Sequence, residues 1–134
     1  MTVEPRWLKR SVVLTIHRES VRMFGGWQGI RDEGLLESAL ARPRNKRGYG
    51  VDDVMALAAA YAFGICGNHP FIDGNKRPGF IAMATFLACN DVELQATDAQ
   101  ATAAMLELAS GQIDEDGLTA WLRDHCRIVA RKPG

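Results

Sequence analysis

Apolar positions recur at helical spacing along most of the chain. Val13, Ile16, Ser20, Val21 and Phe24 share one face and Gly25-Gly26 closes the run, which predicts a helix over about 10–24. Asp32 is placed to cap a second, short helix whose stripe of Leu35, Leu36, Ala39 and Leu40 stops before Pro43, so that helix is expected to end near Arg42. Asp52 is placed to start a third, and its run VMALAAAYAFGIC is apolar on nearly every side up to about Asn68. A helix with no polar face belongs at the centre of a bundle. A fourth helix begins at about Arg77 or Pro78, where a missing N–H costs nothing, and runs through FIAMATFLAC to a cap at Asn90. The extended piece VELQ, an Asp98-capped helix to about Ser110 and a last helix from about Asp114 to Ile128 complete the pattern. Helices joined by short connections predict an all-α bundle. A single domain over 1–134 is expected, with a disordered tail from about residue 129.

Composition narrows the class. With 134 residues, 47% of them apolar and 24% charged, the chain has enough apolar material for one core and lacks the signature of disorder. Lys+Arg and Asp+Glu both number 16, so no net field draws the protein to nucleic acid or to an anionic membrane, and neither is expected as a direct partner. No stretch approaches the roughly 20 apolar residues of a membrane span and the first residues lack a signal peptide's apolar core, so a cytoplasmic location is expected. Cys66, Cys89 and Cys126 lie far apart without a zinc spacing, and read as reduced, mostly buried thiols.

The chemistry concentrates between the third and fourth helices, in HPFIDGNKRPGF, residues 69–80. Gly74 and Asn75 permit a backbone in which consecutive N–H groups point the same way, a nest for an anion. The helix that follows adds its unpaired N–H groups and the positive end of its dipole. Lys76 and Arg77 supply cationic groups suited to phosphate oxygens, and Asp73 a hard oxygen ligand for Mg2+. His69, at the mouth of the nest, belongs to the residue type that exchanges protons near neutral pH and is the candidate general base. Phe71 is expected to anchor the loop in the core. A plain polar turn is the competing reading, but a turn spends two or three polar residues and not this many kinds at once.

This stretch resembles the central motif of the Fic/Doc family. The Fic branch carries HPFx(D/E)GNGRxxR and the Doc branch, the death-on-curing toxins, HxFx(D/N)(G/A)NKR; His69, Phe71, Asp73, Gly74, Asn75, Lys76 and Arg77 all match the Doc form. FGG at 24–26, GIRDEGLLESALARP at 29–43 and LAAAYAFGICGNHPF at 57–71 extend the likeness. The resemblance implies an all-α fold with a nucleoside triphosphate, ATP or another, bound with Mg2+ at the loop. It also implies a hydroxyl of a target protein as acceptor. His69 would be the base, Asp73 the metal ligand, and Gly74, Asn75, Lys76 and Arg77 the phosphate cradle. Fic enzymes mostly transfer AMP. Doc moves the γ-phosphate to a threonine of elongation factor Tu and halts translation. Lys76 stands where Fic has a glycine and Phe80 where it has a second arginine, and both changes favour phosphotransfer over AMP transfer. A catalytically inactive binding or co-regulatory module is the more distant alternative.

The inhibitory Fic pattern (S/T)xxxE(G/N) is met only at Glu33-Gly34, with Gly29 in place of Ser or Thr, so no internal inhibitor is expected. Resemblance to Doc implies a separate Phd-like antitoxin instead. RPRNKR at 42–47 reads as a solvated loop or as a docking edge, and the family's target-aligning flap would fall here, near Tyr49 and Gly50. His17 and His125 read as structural, and Arg31 and Asp32 as a cap and brace for the second helix.

Overall fold

The computed structural model describes residues 4–129; the tail expected to fray lies outside them apart from Val129, whose N–H donates to the Asp91 carbonyl. Helix α1, Arg10–Phe24, ends at Gly25 as its glycine pair predicts. Helix α2, Glu33–Gly48, starts where the Asp32 carboxylate accepts the Leu35 N–H, and α3, Val54–Asn68, where Asp53 and not Asp52 accepts the Met55 N–H. Helix α4 is Lys76–Cys89 and leads to strand β1, Val92–Leu94. Helix α5, Asp98–Ala109, is capped by Thr97 in a reciprocal pair with Gln100, so the cap falls one residue before the expected Asp98. Helix α6, Glu115–His125, is capped by Asp114. It stops three residues short of its expected end, because β2, Cys126–Ile128, pairs antiparallel with β1.

The all-α expectation holds, with this two-stranded ribbon as its one sheet among the described residues. Helix α3 is the centre: Leu57, Ala58, Ala59, Ala60, Ala62 and Ile65 are fully buried as it packs against α4, α2 and α6. Its alanines let neighbours approach closely. At the α3–α4 crossing a Cβ on Gly79 would stand 2.9 Å from the Cys66 Sγ and 3.3 Å from the Ala62 carbonyl oxygen. Phe86 of α4 closes the other end of the core between the rings of Trp7 and Tyr61. No described helix is long and apolar enough to cross a membrane.

Pro43 does not end α2. The helix runs a further turn and more to Gly48, with Pro43 buried inside it, because RPRNKR is anchored rather than solvated. Arg42 and Lys46 both donate to the Glu115 carboxylate of α6, Lys46 also reaches the Ala56 carbonyl, Arg47 pairs with Glu4, and Arg44 lies over the Trp7 ring. Side-chain anchorage thus outweighs the one backbone hydrogen bond that proline removes. Burial by itself raises the Glu115 pKa, but the hydrogen bonds from Arg42 and Lys46 outweigh it and hold the carboxyl below its ordinary value. A depressed carboxyl pKa stabilises the fold above the unfolded-state value and ceases to do so as pH falls through the folded one. Glu115→Gln is therefore expected to cost about 1–2 kcal/mol at pH 7, with the gap to wild type closing below about pH 4, as urea unfolding at the two pH values would measure.

The thiols differ from the expectation of a mostly buried set. Cys89 is exposed, whereas Cys66 and Cys126 are half-buried. Burial pushes the Cys66 thiol up to about 11 despite Lys76 nearby, and raises that of Cys126. At pH 8 an alkylating reagent is expected to modify Cys89 first and to leave Cys66 intact until the protein unfolds, which mass mapping of the labelled peptides would check.

Candidate functional site

The loop between α3 and α4 is held from three sides. At the end of α3, His69 adopts a left-handed conformation (φ 49°, ψ 56°), uncommon for a residue with a Cβ and stable only where its surroundings over-determine it. Arg31 does so: its Nε donates to the His69 carbonyl at 2.7 Å and its Nη2 to the Asn68 carbonyl at 2.9 Å. The backbone of the 29–32 segment adds the Arg31 N–H to the Pro70 carbonyl, the Ile72 N–H to the Gly29 carbonyl, and a bridge between Ile30 and Phe71. Arg31 thus braces the end of α3 and not the second helix; Asp32 does cap α2 as expected.

Inside the loop, the Asn75 side chain accepts the Phe71 N–H at 3.0 Å and donates to the Phe71 carbonyl at 3.2 Å, closing the turn on itself. Its side chain is thus committed to the loop, and what Asn75 can offer a ligand is its backbone N–H. Phe71 is 1% exposed and anchors the loop in the core, face to face with the His17 ring at 3.8 Å. Gly74 takes φ +69°, and a Cβ there would press on Val21 at 3.3 Å, so both conformation and space call for glycine. The carboxylate of Asp73 accepts the Trp27 N–H at 2.9 Å through Oδ2. Gly26 takes φ +118°, and a Cβ there would stand 3.1 Å from the Asp73 Cβ, which accounts for the second glycine of FGG.

Carbonyls and amides of the loop differ in how they are satisfied. The carbonyl oxygens of Asn68, His69, Pro70, Phe71, Asp73 and Asn75 accept bonds from Arg31, Asn75, His17 and Gly79. The N–H groups of Gly74, Asn75, Lys76 and Arg77 have no intramolecular acceptor among the described residues. Left-handed Gly74 followed by right-handed Asn75 is the alternation that makes an anion nest, and the first turn of α4 continues it.

Over this row opens a cavity of about 490 Å³, lined by His69, Asp73, Gly74, Asn75, Lys76 and Arg77 from the motif and by Ser20, Phe24, Thr102, Met105 and Leu106 from α1 and α5. All six expected site residues therefore meet at one cavity. The Arg77 guanidinium lies 3.7 Å from the centre of the half-exposed Phe24 ring, a cation–π contact that holds it at the mouth. Phe80, in place of the second Fic arginine, is buried edge-on against Trp121 and does not line the cavity. Glu33 is paired with Arg10 at 2.9 Å, away from the loop.

The described residues contain no group of three or more His, Cys, Asp or Glu able to hold a metal alone. A single carboxylate at a phosphate nest fits Mg2+, which takes one or two protein carboxylates and completes its shell with phosphate and water oxygens.

Two residues of the site carried little signal in the sequence. Arg31 was legible only as a cap or brace for the second helix. His17 lies one helical turn before Ser20 and Val21 on the face that meets the loop, and donates from Nε2 to the Asp73 carbonyl at 2.8 Å. The segment after α2 is a short turn with Tyr49 91% exposed, and the charges of RPRNKR before it are largely paired within the fold.

Comparison with known proteins agrees with this geometry. The profile of the Fic/DOC family matches residues 7–87, which includes α1 to α3, the loop and most of α4. Toxin Doc of Mycolicibacterium smegmatis is 42% identical over 105 residues, covering 74% of this chain and 79% of that protein. The motif, the helices that hold it and the extent of both matches lead to one conclusion: the chain belongs to the Fic/Doc family.

Proposed function

We propose that this protein is a Doc-type toxin that transfers the γ-phosphate of ATP, or of another nucleoside triphosphate, to a hydroxyl of a target protein. A threonine of elongation factor Tu is the acceptor that Doc-type activity implies, with arrest of translation as the result. The observation that carries the reading is the loop backbone, with most of its carbonyls hydrogen-bonded within the fold and four consecutive N–H groups left unpaired at a cavity shared with His69, Lys76 and Arg77. Such a row neutralises phosphate oxygens without reorganising as charge moves.

In this reading His69 accepts the proton of the target hydroxyl as its oxygen bonds to the γ-phosphorus, while the bond from that phosphorus to the β,γ-bridging oxygen breaks and ADP leaves. The nest and Arg77 hold the phosphate chain, and Lys76 supplies a point charge where Fic enzymes have none. Asp73 would hold Mg2+, which neutralises phosphate charge when bound.

A Doc toxin works beside an antitoxin, and the cavity rim is suited to a partner: Phe24, Ile72 and Leu106 are exposed apolar residues on it. A segment of a Phd-like antitoxin seated there would close the cavity. The reading is tested by incubating the purified protein with elongation factor Tu and ATP labelled at either the α or the γ position. Label entering the target from γ alone is the expected result. Label from α would assign AMP transfer instead, and no label from either would remove this target from the account.

A further inference from the structure

His17 is 3% exposed, on a helix that contributes no residue to the motif, yet it touches the loop at its most constrained point. Its ring lies on Phe71 at an interplanar angle of 8°, and its Nε2 is 2.8 Å from the Asp73 carbonyl oxygen. A carbonyl only accepts, so Nε2 carries the proton.

Two consequences follow from elementary backbone geometry. The peptide between Asp73 and Gly74 is trans, so its C=O and N–H point in opposite directions. Drawing the carbonyl in toward His17 directs the Gly74 N–H away from the interior. Asp73 also lies four residues before Arg77, so its carbonyl is the acceptor that two more residues of helix would offer the Arg77 N–H. Left-handed Gly74 interrupts that continuation while His17 holds the carbonyl, and the Arg77 N–H stays unpaired.

We infer that His17 is a positioning residue of the loop: by holding the Asp73 carbonyl it sets the direction of the Gly74 N–H that a phosphate group would meet. The inference rests on the proposed binding of a nucleoside triphosphate at this cavity.

The test compares wild type with His17→Phe, which keeps a ring against Phe71 but has no donor, and with His17→Gln, which restores an N–H. Nitrogen-15 spectra of the wild type should show His17 protonated at Nε2, and the Gly74 amide resonance should move in His17→Phe without any ligand. Calorimetry with Mg-ATP should give His17→Phe a dissociation constant roughly tenfold higher, the scale of one lost hydrogen bond, and His17→Gln should recover most of that loss. A packing role alone would lower the melting temperature of both variants and leave the affinity of the folded protein unchanged. The inference is overturned by an Nδ1–H tautomer, by an unmoved Gly74 amide, or by folded His17→Phe binding Mg-ATP within twofold of wild type. If His17→Phe does not fold, the wild-type tautomer decides. If wild type itself binds no Mg-ATP, the proposed function fails, and the tautomer and the Gly74 resonance still decide the loop geometry.

Discussion

His69→Ala is expected to slow transfer to the target by roughly 10²- to 10⁴-fold and to abolish toxicity in the host, with little loss of stability. The side chain is exposed at the cavity, so its removal leaves no void in the core. The backbone around it is held by Arg31 on the carbonyls of Asn68 and His69 and by the cap bond from the His69 N–H to Ile65, none of which uses the imidazole. Mg-ATP affinity should stay within a few-fold of wild type, because the nest is made of backbone. Single-turnover transfer with labelled ATP, with thermal unfolding as the control, measures both halves. Toxicity that survived in the folded variant would favour the binding-module reading over an enzyme.

Asp73→Asn is expected to have the second largest effect, a loss of roughly 10²-fold or more in Mg2+-dependent transfer, the scale of several kcal/mol of charge stabilisation. The amide is chosen because its oxygen can still accept the Trp27 N–H, so the 25–29 segment should stay in place while the negative charge goes. Alanine at 73 would remove both and confound them. The corresponding measurement is a Mg2+ titration of nucleotide binding: wild type should bind ATP more tightly as Mg2+ is added, and Asp73→Asn should lose most of that dependence. Equal dependence in the two proteins would place the metal elsewhere.

Much of the fold was legible in the sequence, for identifiable reasons. The apolar run of α3 can only be a central helix, and the motif's position after it follows at once. What the sequence misplaced were endings decided by distant partners. Pro43 reads locally as a stop, but Glu115, at the start of α6, gathers Arg42 and Lys46 and holds α2 in helical form. Cys126, Arg127 and Ile128 continue a helical pattern, but β1 offers them a ladder.

The site divides the same way. His69, Asp73, Gly74, Asn75, Lys76 and Arg77 are consecutive or nearly so, and a short motif brings them together by itself. His17 and Arg31 are 56 and 38 residues from the loop positions they bond. No local spacing could show those contacts, although His17 shares its helix face with Ser20, Val21 and Phe24. Asn75 lines the cavity with them, but the structure commits its side chain to Phe71, which no spacing in the sequence could show.

The central claim is that the loop is a phosphate nest made of backbone amides with a base at its rim. Its most direct measurement is a nitrogen-15 titration of the protein with Mg-ATP, following the amide resonances of Gly74, Asn75, Lys76 and Arg77. The account predicts that these four shift together and saturate with a common dissociation constant, while those of α6 stay still. Binding that left the four unmoved, or shifts confined to another face of the protein, would contradict it.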